Sequence, residues 1–242
     1  MKPFVKREIV STLPSMLMFF MALLVMEGAM CVGILSGRPN LTATAISIYV
    51  IVMFLMAVLL IGFAGKELLS HLRDANYYAN LKRNGVSGMA ALGVSLGINS
   101  AALAVMMALY ALFMWIDIRW IEHVFPEEKK DLESLFEIVM KENSVILAML
   151  DYLIIIVSLF ALAYCSVTLT YNVFSKGRYA GFLSAIVFVM LAFCMIKLNL
   201  IICRDMTGAA FHLRSAAVQA GFTALFFGLT CYSLKKHEWK DL

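Results

Sequence analysis

Glu27, Asp151 and Lys197 each stand inside a long apolar stretch. An ionisable group in such a stretch is costly unless it meets water, a proton or an opposite charge. Two chemistries are open to these three. They can form the polar lining of an outward-facing cavity, drawing cations or passing protons. Alternatively they form a structural cluster in which Lys197 neutralises a carboxylate or simply snorkels outward.

Other reactive residue types are present but poorly arranged for chemistry. His71, His123, His212 and His237 are scattered, and none has a second His or Cys three or four residues away, so no metal ligand set is assigned. Cys31, Cys165, Cys194, Cys203 and Cys231 are odd in number, lack a C-x-x-C pair and sit in or near apolar stretches, as small packing residues do. No G-x-x-x-x-G-K-[ST] occurs to cradle nucleotide phosphates. Gly85-Val86-Ser87-Gly88 matches the G-x-S-G of rhomboid intramembrane proteases, with His212 as a conceivable base. A serine needs that base at hand. Ser87 falls at the inner membrane edge and His212 near the outer one, so catalysis by this chain is not expected.

The elements that must position these residues follow from hydropathy. Of 242 residues, 62% are hydrophobic and 15% charged, with a mean hydropathy of +0.87, far above a soluble domain. Six stretches are long enough to cross about 30 Å of hydrocarbon: residues 14–35, 41–64, 89–116, 145–167, 179–201 and 216–234. They lack period-2 alternation, and backbone polar groups cannot be left unpaired in lipid, so they are predicted to be helices. The fold class is an all-α polytopic membrane protein, one transmembrane domain over residues 1–242.

Orientation follows from the basic residues beside the spans. One alternating set holds Lys2, Lys6, Arg7, Lys66, Arg73, Lys82, Arg83, Lys176, Arg178, Lys235, Lys236 and Lys240; the other holds Arg38, Arg119, Lys129, Lys130, Lys141, Arg204 and Arg214. The positive-inside rule puts the first set, and both termini, in the cytoplasm of a bacterial-type plasma membrane. The net charge of +4 reflects that topology and not nucleic-acid binding. The basic start resembles a signal peptide, but its apolar run is too long, and it reads as a retained first span.

Three segments outside the spans carry pattern. The arm KPFVKREIVSTL, within residues 1–13, sets Phe4, Val5, Ile9 and Leu13 against Lys2, Lys6 and Arg7, and Pro14 marks a turn into the first span, so an amphipathic elbow helix on the inner surface is predicted. The inner loop at 65–88, GKELLSHLRDANYYANLKRNGVSG, has helical character and offers Tyr77, Tyr78, Lys82 and Arg83, side chains of the kind that anchor interfaces. In the outer loop at 117–144, EEKKDLESLFEIVMK forms an amphipathic surface helix.

A basic amphipathic arm, two spans, a helical inner loop running as YYANLKRNGVSGMAALGVSLG into a Gly-rich third span, and three further spans together resemble an ABC-2 type permease. This is the membrane half of an ATP-binding-cassette exporter, and the likeness covers essentially the whole chain. It implies a cytoplasmic coupling helix at about residues 73–83, with Arg73, Tyr77, Tyr78, Lys82 and Arg83 facing the ATPase, and a smaller contact at 171–178. It implies a short re-entrant or surface segment at 199–214. The implied partners are a separate ATPase subunit that binds ATP and Mg²⁺, a second permease chain, and membrane lipids. The implied cargo is an amphipathic peptide or other hydrophobic substrate, since compact permeases of this sort resemble exporters of phenol-soluble-modulin-like peptides and lantibiotics. A proton-coupled secondary transporter using Glu27 and Asp151 is the alternative, although no internal repeat is evident.

Overall fold

The computed structural model describes residues 2–74, 77, 80, 81, 83–125, 145–174 and 179–238. Among them there is no strand. Six long helices follow in order: α1 (Lys2–Leu35), α2 (Pro39–Arg73), α3 (Gly88–Val124), α4 (Val145–Phe174), α5 (Ala180–Ile202) and α6 (Gly208–Glu238). Each contains a span apolar and long enough to cross a membrane, so the chain has the build of a multi-pass membrane protein. At 23 residues α5 is about as long as the hydrocarbon is thick, whereas α1, α2 and α3, at 34, 35 and 37 residues, are about 50 Å long and must project beyond it.

These projections revise several boundaries. The helix of the second span does not stop at Ala64 but continues to Arg73, because Glu67, Leu68, Leu69 and Leu72 favour helix whether or not lipid surrounds them. The third span's helix runs on through Asp117 to Val124, taking into the bundle a residue assigned by sequence to the outer loop. The elbow is corrected too. Pro14 lies within one unbroken helix, and no turn separates arm from span. A proline in a helix interior forfeits one backbone bond, at a cost of about 3 kcal/mol, yet long apolar helices tolerate it when nearby groups compensate. The carbonyl that Pro14 frees is that of Val10, whereas Ser11 and Thr12 donate back to the Glu8 carbonyl, which the proline leaves paired.

Tight turns join two of the helix pairs. Between α1 and α2, Gly37 takes φ 64°, Ser36 donates to the Gly33 carbonyl at 2.6 Å, and Pro39 opens the next helix. Between α5 and α6 only residues 203–207 intervene before Gly208 at φ 58°. The re-entrant segment expected at 199–214 is therefore absent: its first residues complete α5, and its last belong to α6. The amphipathic segment at 127–141 and the contact residues at 175–178 lie outside the described residues.

α4 is the centre of the bundle. Every residue from Ala161 to Thr168 is buried, and the helix packs on α2, α3, α5 and most extensively on α6. Lipid tails are as apolar as Leu, so helices in a membrane associate through close packing and hydrogen bonds, not through exclusion of water. The α4–α6 seam uses both. Ser158 donates to the Gln219 carbonyl at 2.9 Å and shares a 2.6 Å bond with Thr223, and Ser215 donates to Asp151 at 2.9 Å. Partner numbers rise together along the two helices, so α4 and α6 run parallel. The buried Ser166, Thr168 and Thr170 hydroxyls of α4 bond back to carbonyls of their own helix and need no partner across the seam. The remaining core, including Phe19, Leu23, Met30, Tyr49, Phe160 and Leu162, is continuous with this seam.

Close backbone approach occurs at Gly33, where a Cβ would meet the Thr42 Cα at 3.4 Å, whereas one on Gly97 would meet nothing within 4 Å.

Candidate functional site

Two ends of the bundle carry polar chemistry. At the end holding the N-terminus, the inner loop folds back onto the helices. Tyr77 and Leu81 pack with Phe4 of α1, Val86 and Ala91 of α3. The Tyr77 ring stacks on His71 with centroids 4.0 Å apart and planes 8° apart, and the Arg7 guanidinium lies 5.9 Å above the Tyr77 ring. Burial pushes the Tyr77 phenol above its ordinary range.

This changes what the loop presents. Tyr77, read from sequence as a solvent-facing anchor, is only 8% exposed and is part of the bundle's own packing. Of the five proposed contact residues, Arg73 and Arg83 are exposed, while Tyr78 and Lys82 fall outside the described residues. A tyrosine ring is as much a packing group as an interface group, and the sequence has no marker separating the two uses. Ser87 is also accounted for. It caps α3, accepting a hydrogen bond from the Ala90 amide at 3.2 Å, the ordinary use of serine before a helix.

At the opposite end two separate polar clusters form. In the first, Tyr49 of α2 donates to Glu27 of α1 at 2.5 Å. Asp117 of α3 stands close to the same carboxyl, and Tyr110 stacks on Tyr49 at 5.2 Å. One oxygen of Asp117 is buried without any partner. The cluster has more acceptors than donors.

The second cluster is fully furnished. Asp151 of α4 accepts from Ser215 of α6, and its other oxygen meets His212 Nδ1 at 3.2 Å. Asn199 of α5 donates to the Ser215 oxygen at 3.1 Å. Although Ser, His and Asp are present, they are not wired as a hydrolase triad, in which the serine proton goes to the imidazole. Ser215 commits its one proton to Asp151, so its oxygen is held as a structural link and not as a nucleophile.

The sequence-derived cavity trio is therefore divided. Glu27 and Asp151 belong to different clusters, and Lys197 joins neither: it is exposed on α5 with its ammonium 5.5 Å from the Phe193 ring centroid. Among the described residues no ion pair connects Lys197 to a carboxylate. Its neighbours on α5 are also outward-facing, which fits the snorkelling reading over the neutralising one.

Several residues of these clusters escaped sequence reasoning. Asp117 was hidden by a span boundary drawn one residue short of it. Tyr49, Ser215 and Asn199 are ordinary residues of apolar helices until their partners are known. A third network, in which Tyr164 of α4 bonds Ser95 at 3.0 Å and Asn99 at 2.9 Å, likewise had no sequence signal. Compared with known protein families, with curated proteins and with solved structures, the chain gives no match.

Proposed function

We propose that this chain is the six-span permease half of an ABC-2 type exporter, working as a dimer with a separate ATPase at the face that carries the inner loop. The observation that supports it most is the loop itself. Its buried side, through Tyr77 and Leu81, is packed onto α1 and α3 and stacked on α2, while Arg73 and Arg83 point outward. A force applied to those arginines by an ATP-binding partner would reach three membrane helices through the packed side chains of Tyr77 and Leu81. ATP and Mg²⁺ would be held by the partner, and an amphipathic peptide or comparable hydrophobic cargo would leave outward.

The test is isolation of the full chain from its native membrane in mild detergent. An ATPase should co-purify, and the pair Arg73→Glu with Arg83→Glu should reduce its retention by about tenfold or more while the bundle keeps its melting temperature. Absence of any ATPase, together with cargo flux into proteoliposomes without ATP, would replace this reading with another.

That other reading is a proton-coupled transporter, favoured by one observation: carboxyl groups lie near one another at Glu27 and Asp117, and against an imidazole at Asp151. It demands flux that follows a proton gradient and stops when the gradient is collapsed.

A further inference from the structure

At the end holding the N-terminus, three donors converge that neither the core packing nor the exposed arginines require. Glu8 of α1 and Glu67 and His71 of α2 place two carboxylate oxygens and one imidazole nitrogen all within 4.8 Å of one another. Glu67 and His71 are four residues apart on one helix, so they share a face one turn apart. Glu8 comes from the neighbouring antiparallel helix and is 2% exposed. Among the described residues, no ion pair joins any of the three to a basic side chain. Arg7 lies over the Tyr77 ring and acts on Glu8 and His71 only through space, without an ion pair.

Two carboxylates brought together with one of them buried need compensation, either protons or a cation. A divalent ion supplies two positive charges against two negative ones, giving a neutral site. Bonds of about 2.0–2.2 Å to nitrogen and oxygen put ligand atoms about 3–4 Å apart across the ion, so the observed spacing closes onto it by small side-chain rotations. Packed side chains surround the donors. Tyr77 stacks on the His71 ring, and Ser95, bonded to Tyr164, lines the same cavity as His71. A cavity of about 20 Å³ lined by His71, Tyr77 and Ser95 opens on the imidazole side of the cluster. That is room for about one water molecule, a natural fourth ligand.

We propose that Glu8, Glu67 and His71 bind one divalent transition-metal ion of the zinc class, clamping α1 to α2 beneath the inner loop. The imidazole sets the class: a site for Mg²⁺ or Ca²⁺ would be all oxygen. The inference is independent of the exporter reading, since it concerns the isolated chain.

The experiment uses the purified full-length chain in detergent, free of any affinity tag and stripped with EDTA, titrated with Zn²⁺ and separately with Co²⁺. One ion should bind per chain, with visible Co²⁺ bands of a four- or five-coordinate site. At a hundredfold excess over Kd, Zn²⁺ should raise the melting temperature by about 5–10 °C. Glu67→Gln with His71→Gln should abolish both effects, while His212→Gln should keep them. Failure of the unmutated chain to take up a stoichiometric ion overturns the proposal whether or not the variants fold. Uptake that persists in the Glu67→Gln, His71→Gln variant overturns it as well.

Discussion

Asp151 and Glu27 are both acids within long apolar helices at the same end of the bundle, the first buried and the second half-buried, and their surroundings are opposite in kind. Asp151 is met by a hydroxyl and an imidazole, with Asn199 steadying the hydroxyl from a third helix. Glu27 is met by one phenol and by a second acid, Asp117, which keeps a buried oxygen without a partner. A satisfied acid in lipid behaves as glue between helices, whereas a pair of acids short of donors is a place where a proton, a cation or water lowers the energy. The difference teaches that an intramembrane charge has no meaning by itself. Its role is set by whether its neighbours donate or accept.

The sharpest way to break this comparison is to remove the acid that acts as glue. Asp151→Leu leaves Ser215 and His212 facing an apolar side chain, and should lower stability by about 3 kcal/mol, read as reduced thermal and denaturant midpoints in detergent. Asp151→Asn keeps the shape and one acceptor and should lose only about 1 kcal/mol, close to the usual worth of an interhelical hydrogen bond in a membrane. A Leu variant as stable as the parent would show that the α4–α6 seam does not depend on this link.

At the other cluster the expected sign depends on which group is changed. Tyr49→Phe removes the donor that Glu27 has, and should cost about 1–2 kcal/mol. Asp117→Asn converts an acceptor into a donor beside Glu27 and should be neutral or stabilising by up to about 1 kcal/mol. The same Asp-to-Asn change thus works in opposite directions at positions 117 and 151. Melting curves of the two variants side by side test the contrast directly, and destabilisation of equal size at both would erase it.

The smallest effect is expected at Lys197, exposed over Phe193. Lys197→Met should shift stability by less than about 0.5 kcal/mol, and its effect should add to that of Glu27→Gln without coupling. A coupling energy well above that figure in the double-mutant cycle would restore the Glu27–Lys197 pair that the geometry does not contain.

Hydropathy by itself determined that this chain is a bundle of six helices, and approximately where they lie. A bilayer leaves the backbone no alternative to internal hydrogen bonds, and about 20 apolar residues are needed to cross it, so local composition suffices. Composition also marked Glu27, Asp151 and Lys197 as unusual. What it could not supply was their partners. The helical continuation from Ile116 to Val124 that brings Asp117 to Glu27, the parallel register that sets Ser215 against Asp151, the inward turn of Tyr77, and the meeting of Glu8 with Glu67 and His71 all depend on how helices distant in sequence are placed beside each other. Glu67 and His71 were legible as a pair one helical turn apart; Glu8, separated from them by a whole hairpin, was not. Helix formation is a local choice that lipid enforces residue by residue. Pairing of polar groups across helices is a choice among many rotations and registers, and only the packed structure makes it.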